Sequence, residues 1–84
     1  MISHESFKEN VASELRTIRA LKKLSQREVA IKAGIDVMTI TRYENNSCSM
    51  QLDMIEKILK AYEIKTAIFF ADISAKMQKK EEEV

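Results

Sequence analysis

Apolar positions along the 84-residue chain recur at helical spacing, not at the alternation of a half-buried strand. Phe7, Val11, Leu15 and Ile18 share one face and predict a first helix from about Ser6 to Lys22. Ser25-Gln26-Arg27-Glu28 reads as a capping box, in which the serine hydroxyl and the glutamate carboxylate each take a backbone N–H. It opens a short second helix with Val29, Ala30 and Ala33 on its apolar side. Gly34 stops that helix, because glycine takes the left-handed conformation cheaply. Asp36 is a good N-cap for a third helix, Val37 to Glu44, which Asn45-Asn46 ends. A fourth helix covers roughly Gln51 to Tyr62, with Leu52, Ile55, Ile58, Leu59 and Tyr62 facing in. A fifth starts near Thr66 and carries Ile68, Phe69, Phe70 and Ile73.

The resulting fold class is all-α, a compact five-helix domain over residues 1–73. Residues 74–84 are polar and charged, and form either a tail or an extension of the fifth helix. A chain this short buries only about 60% of its unfolded surface, so its core is marginal without support. Disulfides and metals do not supply that support: Cys48 and His4 are each the sole residue of their type. With no proline and one glycine, an all-β sandwich lacks its turn residues. No apolar run is long enough to span a membrane or to serve as a signal sequence, so the expected location is the cytoplasm. The chain has no phosphate-cradling glycine loop, no nucleophile with a partnered base and no metal-ligand set, so an enzyme is not expected.

Net charge is only +1, but its distribution is uneven. Arg16, Arg19, Lys22, Lys23 and Arg27 fall in one stretch with no acidic residue among them, a local patch able to grip phosphates or simply a solvated face. The stretch from Gln26 to Asn45 has the spacing of a helix-turn-helix, where a brief turn sets the second helix outward. With Val37 at zero and about 100° per residue, Thr41 lies near ~40°, Met38 near ~100° and Arg42 near ~140°. Ile40, Tyr43 and Glu44 fall on the opposite side, so Val37, Met38, Thr41 and Arg42 make the outward face.

From Leu15 to Phe70 the chain resembles the phage repressor and Cro type of helix-turn-helix domain, the XRE family. The residues that carry the likeness are Leu15 and Arg19, then Leu24-Ser25-Gln26-Arg27-Glu28-Val29-Ala30, Gly34-Ile35 and Thr39-Ile40-Thr41-Arg42-Tyr43-Glu44, followed by the helix 4 stripe to Ile64. The resemblance implies a lambda-repressor-like fold and a transcriptional regulator, most simply a repressor, that binds double-stranded DNA at an inverted repeat and needs no cofactor. Val37, Met38 and Arg42 match the family's base-reading positions. Thr39 and Asn45 match its backbone-contacting positions. Gln26, at the start of helix 2, is expected to meet a phosphate and to brace the recognition helix, with Arg27 beside it. Arg19 and Glu44 match a family ion pair. On such a helix Arg42 has the donors for a guanine, and Thr41 or Val37 a methyl for thymine. The chain departs from the family where Asn46 replaces the usual glycine, and where Ser47-Cys48-Ser49-Met50 lacks the usual basic residues and proline.

Phe70, Ile73 and Met77 continue as a stripe past the expected end of the core and are the candidate surface for a homodimer; the alternative is that Phe70 and Ile73 fold back on helix 1 and the tail beyond Ser74 is disordered. A second reading keeps the fold and gives it a different role, that of an antitoxin which holds a toxin protein and also binds its own operator.

Overall fold

The computed structural model describes the backbone of residues 7–82 and side chains through residue 78. His4 and the expected helix start at Ser6 lie outside the described residues. Five helices follow in order: α1 (Phe7–Leu21), α2 (Gln26–Ala33), α3 (Val37–Glu44), α4 (Leu52–Ala61) and α5 (Thr66–Glu82). No strand occurs among the described residues. No helix of these residues is long and apolar enough to cross a membrane.

The core gathers one stripe from each helix: Val11 and Leu15 of α1, Val29 and Ala30 of α2, Ile40 and Tyr43 of α3, Ile55, Ile58 and Leu59 of α4, and Phe69 and Ile73 of α5. Tyr62, just past α4, completes it. Helix α2 packs on α3 and α4, while α1 crosses α3 and α5. Burial of such side chains contributes about 1.5–3 kcal/mol each and drives the assembly of helices too short to persist alone.

Three expectations need correction. Leu52 faces solvent and is 74% exposed. At the first residue of α4 it lies about 70° from the centre of the stripe formed by Ile55, Ile58, Leu59 and Tyr62, with no preceding turn beneath it. Phe7 is likewise exposed in part, although its ring stacks on Phe70 with centroids 5.6 Å apart. Ile73 is 1% exposed within the single chain, so it belongs to the core and offers no dimer surface. Phe70 and Met77 are half-buried against that same core. The stripe on α5 thus packs on the protomer's own core through Ile73 and in part through Phe70 and Met77, and α5 runs through Ser74 without a break.

Each of the first four helices ends in the same way. A residue at or just past the C-cap takes a left-handed conformation, and the next N–H reaches back to a carbonyl of the last turn. After α1, Leu24 N–H donates to Arg19 O at 3.2 Å, and after α2, Ile35 N–H donates to Ala30 O at 3.1 Å. After α3, Ser47 N–H donates to Arg42 O, and after α4, Ile64 N–H donates to Leu59 O, both at 3.0 Å. Leu24, Ile35 and Ile64 then drop onto the core. The left-handed residues are Lys23 (φ 56°), Gly34 (φ 70°), Asn46 (φ 56°) and Glu63 (φ 60°). An added Cβ at Gly34 meets nothing within 4 Å, so glycine is there for its backbone freedom alone. Lys23 and Glu63 hold the same conformation without that freedom, at a cost of roughly 1 kcal/mol each. Lys23→Gly and Glu63→Gly are therefore expected to raise stability by up to about 1 kcal/mol each in thermal or urea melts. Unchanged or lowered midpoints in both variants would contradict this account of the helix ends.

Candidate nucleic-acid interface

The turn between α2 and α3 is fixed by local chemistry. Ser25 Oγ accepts from Glu28 N–H at 3.0 Å, and the Glu28 carboxylate accepts from Ser25 N–H at 2.9 Å. That backbone donor, with the serine hydroxyl second, holds the Glu28 carboxyl below its ordinary range. Asp36 Oδ1 accepts from Met38 N–H at 3.2 Å and starts α3. Helix α3 then has eight residues, two turns that need outside support to stay formed.

That support converges on Glu44, the last residue of α3, which is 2% exposed. Arg19 of α1 donates from Nε to Glu44 Oε2 at 2.7 Å and from Nη2 to Oε1 at 3.0 Å. Such a two-pronged pairing fixes orientation as well as charge. A third donor, Gln26 Nε2 of α2, reaches Glu44 Oε1 at 3.1 Å. Arg19 also donates to the Leu24 carbonyl at 3.0 Å, tying the pair to the end of α1. The hydrogen bond to Glu44 raises the Arg19 pKa above its ordinary value. Arg16 donates to the backbone carbonyl of Glu44, where the negative end of the α3 dipole attracts a cation. Arg16 and Arg19 are thus engaged within the fold, leaving Lys22, Lys23 and Arg27 of the basic stretch exposed.

Two tyrosines complete the surroundings. Tyr43, buried on the inner side of α3, accepts through its hydroxyl from Gln51 N–H at 2.8 Å and so closes the start of α4, whose Gln51 side chain provides no cap. The Tyr62 phenol is pushed up to about 12, chiefly by burial, with the Glu44 carboxylate adding to the shift and Arg19 opposing it. The Gln51, Arg16 and Gln26 contacts join residues 8 to 28 positions apart. Periodicity carries no trace of them.

On the other side of α3, Met38 is 48% exposed, and Arg42 and Asn45 are open to solvent. Thr39 is half-buried, and Arg27 at the start of α2 is exposed. Val37 is half-buried and packs against the core, so only part of it faces outward. Thr41 is half-buried too, and its hydroxyl donates to Gln26 Oε1 at 2.7 Å, with the Val37 carbonyl a longer alternative at 3.2 Å. The Thr41–Gln26 contact joins the α2 start to the outward side of α3, where Met38 and Arg42 are the exposed side chains. No group of three or more metal-ligating side chains occurs among the described residues.

Residues 15–69 match the helix-turn-helix family. A curated relative, the cryptic phage CTXphi transcriptional repressor RstR of Vibrio cholerae, is 30% identical over 69 residues, covering 82% of this chain. The chain spans about 62% of that relative's length. Among solved structures, the restriction-modification controller protein C.Esp1396I superposes with a TM-score of 0.81 at 25% identity, over 90% of this chain and 99% of that one. A point mutant of the same controller, bound to its highest-affinity operator site, gives 0.80 at 27% identity, over 88% of this chain and 99% of that one.

Two measurements follow from this geometry. Arg19→Met and Glu44→Gln are each expected to destabilise by about 2–4 kcal/mol, and the double variant by much less than the sum, since each single change strands the other partner. Additive losses below about 1 kcal/mol would mean that the pair behaves as an exposed one. Tyr62 adds a pH dependence. Its folded pKa lies above the unfolded value of about 10, so its contribution is complete below about pH 10 and is lost as pH rises toward about 12, some 2–3 kcal/mol in all. In urea melts from pH 9 to 12, wild type is expected to lose stability relative to Tyr62→Phe by that amount. A constant difference would show that the phenol is not shifted.

Proposed function

The chain belongs to the helix-turn-helix family that its residues 15–69 match, and from that membership we propose how it acts as a DNA-binding transcriptional regulator. It lays α3 in the major groove of double-stranded DNA and represses transcription where it sits. The observation that carries this reading is the division of α3 into two sides. Glu44 and Tyr43 anchor the helix from within, while Met38 and Arg42 stand out on the opposite face. A helix held in this way enters the groove as a rigid body, with its early residues on base edges. Arg42 supplies two donors to a guanine, and Met38 with the exposed part of Val37 gives apolar contact to a thymine methyl. Gln26, Arg27, Thr39 and Asn45 meet phosphates, helped by the free N–H groups that a helix N-terminus presents. The names of the similar proteins support this reading, one being a transcriptional repressor and the other a controller protein bound to its operator.

The protein works as a homodimer on an inverted repeat. One protomer offers a single short recognition helix, and the stretch from Ser47 to Met50 carries no charge. Specific affinities near ~10⁻⁸ M need more contacts than this, and a two-fold axis doubles them. The half-sites then lie about one helical turn apart.

Selection from a random duplex library tests both statements. The enriched duplexes are expected to contain an inverted repeat bound by two protomers. On such a duplex Arg42→Ala should lower affinity by about 1–3 kcal/mol and relax preference at one base pair per half-site. Arg27→Ala should weaken all sequences alike and reduce the salt slope by about one. Uniform loss from Arg42→Ala would make that residue a phosphate contact. A wild type that binds no duplex at low salt would overturn the reading.

A further inference from the structure

Thr41 lies on the side of α3 that faces DNA in the function proposed for this chain, yet its hydroxyl is turned to the protein. It donates to Gln26 Oε1 at 2.7 Å, and Gln26 Nε2 donates to Glu44 Oε1 at 3.1 Å. These two contacts determine which way the Gln26 carboxamide lies. A flipped amide would set its oxygen against the Glu44 carboxylate, two acceptors face to face, and its nitrogen against the hydroxyl. Glu44 itself is held by both prongs of Arg19, so the chain of contacts is anchored at its inner end. An amide nitrogen has two hydrogens, and Glu44 takes one. The other is left for an acceptor outside the protein, at the start of α2 beside exposed Arg27.

We infer that Thr41 is a positioning residue: it reads no base, and it holds Gln26 with one Nε2 hydrogen aimed at a DNA phosphate oxygen. The inference rests on the reading of this chain as a duplex-DNA binder. It replaces the sequence-based expectation that Thr41 touches a base. It also explains how one glutamine both braces α3 and meets the backbone: its oxygen and one hydrogen do the first, and its second hydrogen does the second. Preorganisation of this kind gains affinity by removing the cost of ordering the amide on binding.

The test uses the full chain and a duplex enriched from a random library, with Thr41→Val, Thr41→Ser, Gln26→Ala and the Thr41→Val/Gln26→Ala double variant. Circular dichroism melts confirm that each is folded. Valine matches threonine in shape and lacks the donor, so Thr41→Val is expected to weaken binding roughly threefold to tenfold, the worth of one hydrogen bond. Thr41→Ser should restore affinity. The double variant should bind no more weakly than Gln26→Ala, and base preference should be unchanged in all four. In NMR spectra of the free protein, the Gln26 side-chain amide signals should be dispersed in wild type and collapse toward the solvent-exposed cluster in Thr41→Val. A further loss from Thr41→Val in the Gln26→Ala background, or a relaxed base preference, would overturn the inference and make Thr41 a direct contact. Unchanged Gln26 signals in Thr41→Val would overturn it as well. No duplex binding by wild type, with the NMR signature intact, would bring down the DNA reading and the inference with it, and the hydrogen bond would still be established.

Discussion

Taking a carboxylate out of water costs several kcal/mol unless cations and hydrogen-bond donors replace the solvent. The chain places Glu44 under this constraint at the end of an eight-residue helix whose other side presents Met38 and Arg42 to solvent. Arg19 and Gln26 replace the water from α1 and α2, so one carboxylate joins three helices. A half-formed set would leave a buried charge unpaired, which makes the arrangement close to all-or-none. An eight-residue helix on its own is marginal, and it acquires a fixed position only through such tertiary contacts. Arg16 at the last carbonyl of α3 and Tyr43 at the start of α4 extend the same clamp to its backbone and to the next helix.

The clamp leaves the outward face of α3 free of structural duty except at two points. Val37 packs partly against the core, and the Thr41 hydroxyl bonds to Gln26. Met38 and Arg42 are therefore the side chains with the greatest freedom to meet a partner. The left-handed residues at the four helix ends serve a related purpose. They turn the chain sharply and drop Leu24, Ile35 and Ile64 onto the core, so short connections reverse the chain without long loops.

Most of the fold is legible in the sequence because helix boundaries depend on local chemistry. The capping box at Ser25, the cap at Asp36 and the stop at Gly34 all involve neighbours within a few residues. Lys23 and Glu63 escape notice as helix stops because neither residue type favours positive φ; the pull of Leu24 and Ile64 into the core imposes it. The stripe of Phe70, Ile73 and Met77 is legible as a stripe, but a sequence does not say whether the same chain or a second copy covers it. Leu52 shows the complementary limit: right in type and nearly right in phase, it falls on the first turn of α4 and stays exposed at the rim of the cavity it shares with Phe7 and Phe70. At the site, the Arg19–Glu44 pairing comes from the family resemblance. The resemblance also gives Gln26 as a brace of α3, though not its partners Glu44 and Thr41; the Arg16 and Tyr43 contacts come only from the fold, because they join residues far apart with no periodic signature.

In the function proposed, the start of α2 and the outward side of α3 meet DNA, carried by an interior that does not change on binding. Amide chemical-shift mapping of the wild-type chain, titrated with a duplex enriched from a random library, tests it most directly. The largest shifts are expected at Gln26, Arg27, Met38, Thr39, Arg42 and Asn45, with small ones at Leu15, Ile58 and Ile73 in the core. Shifts concentrated on α4 and α5, with α3 unaffected, would contradict it.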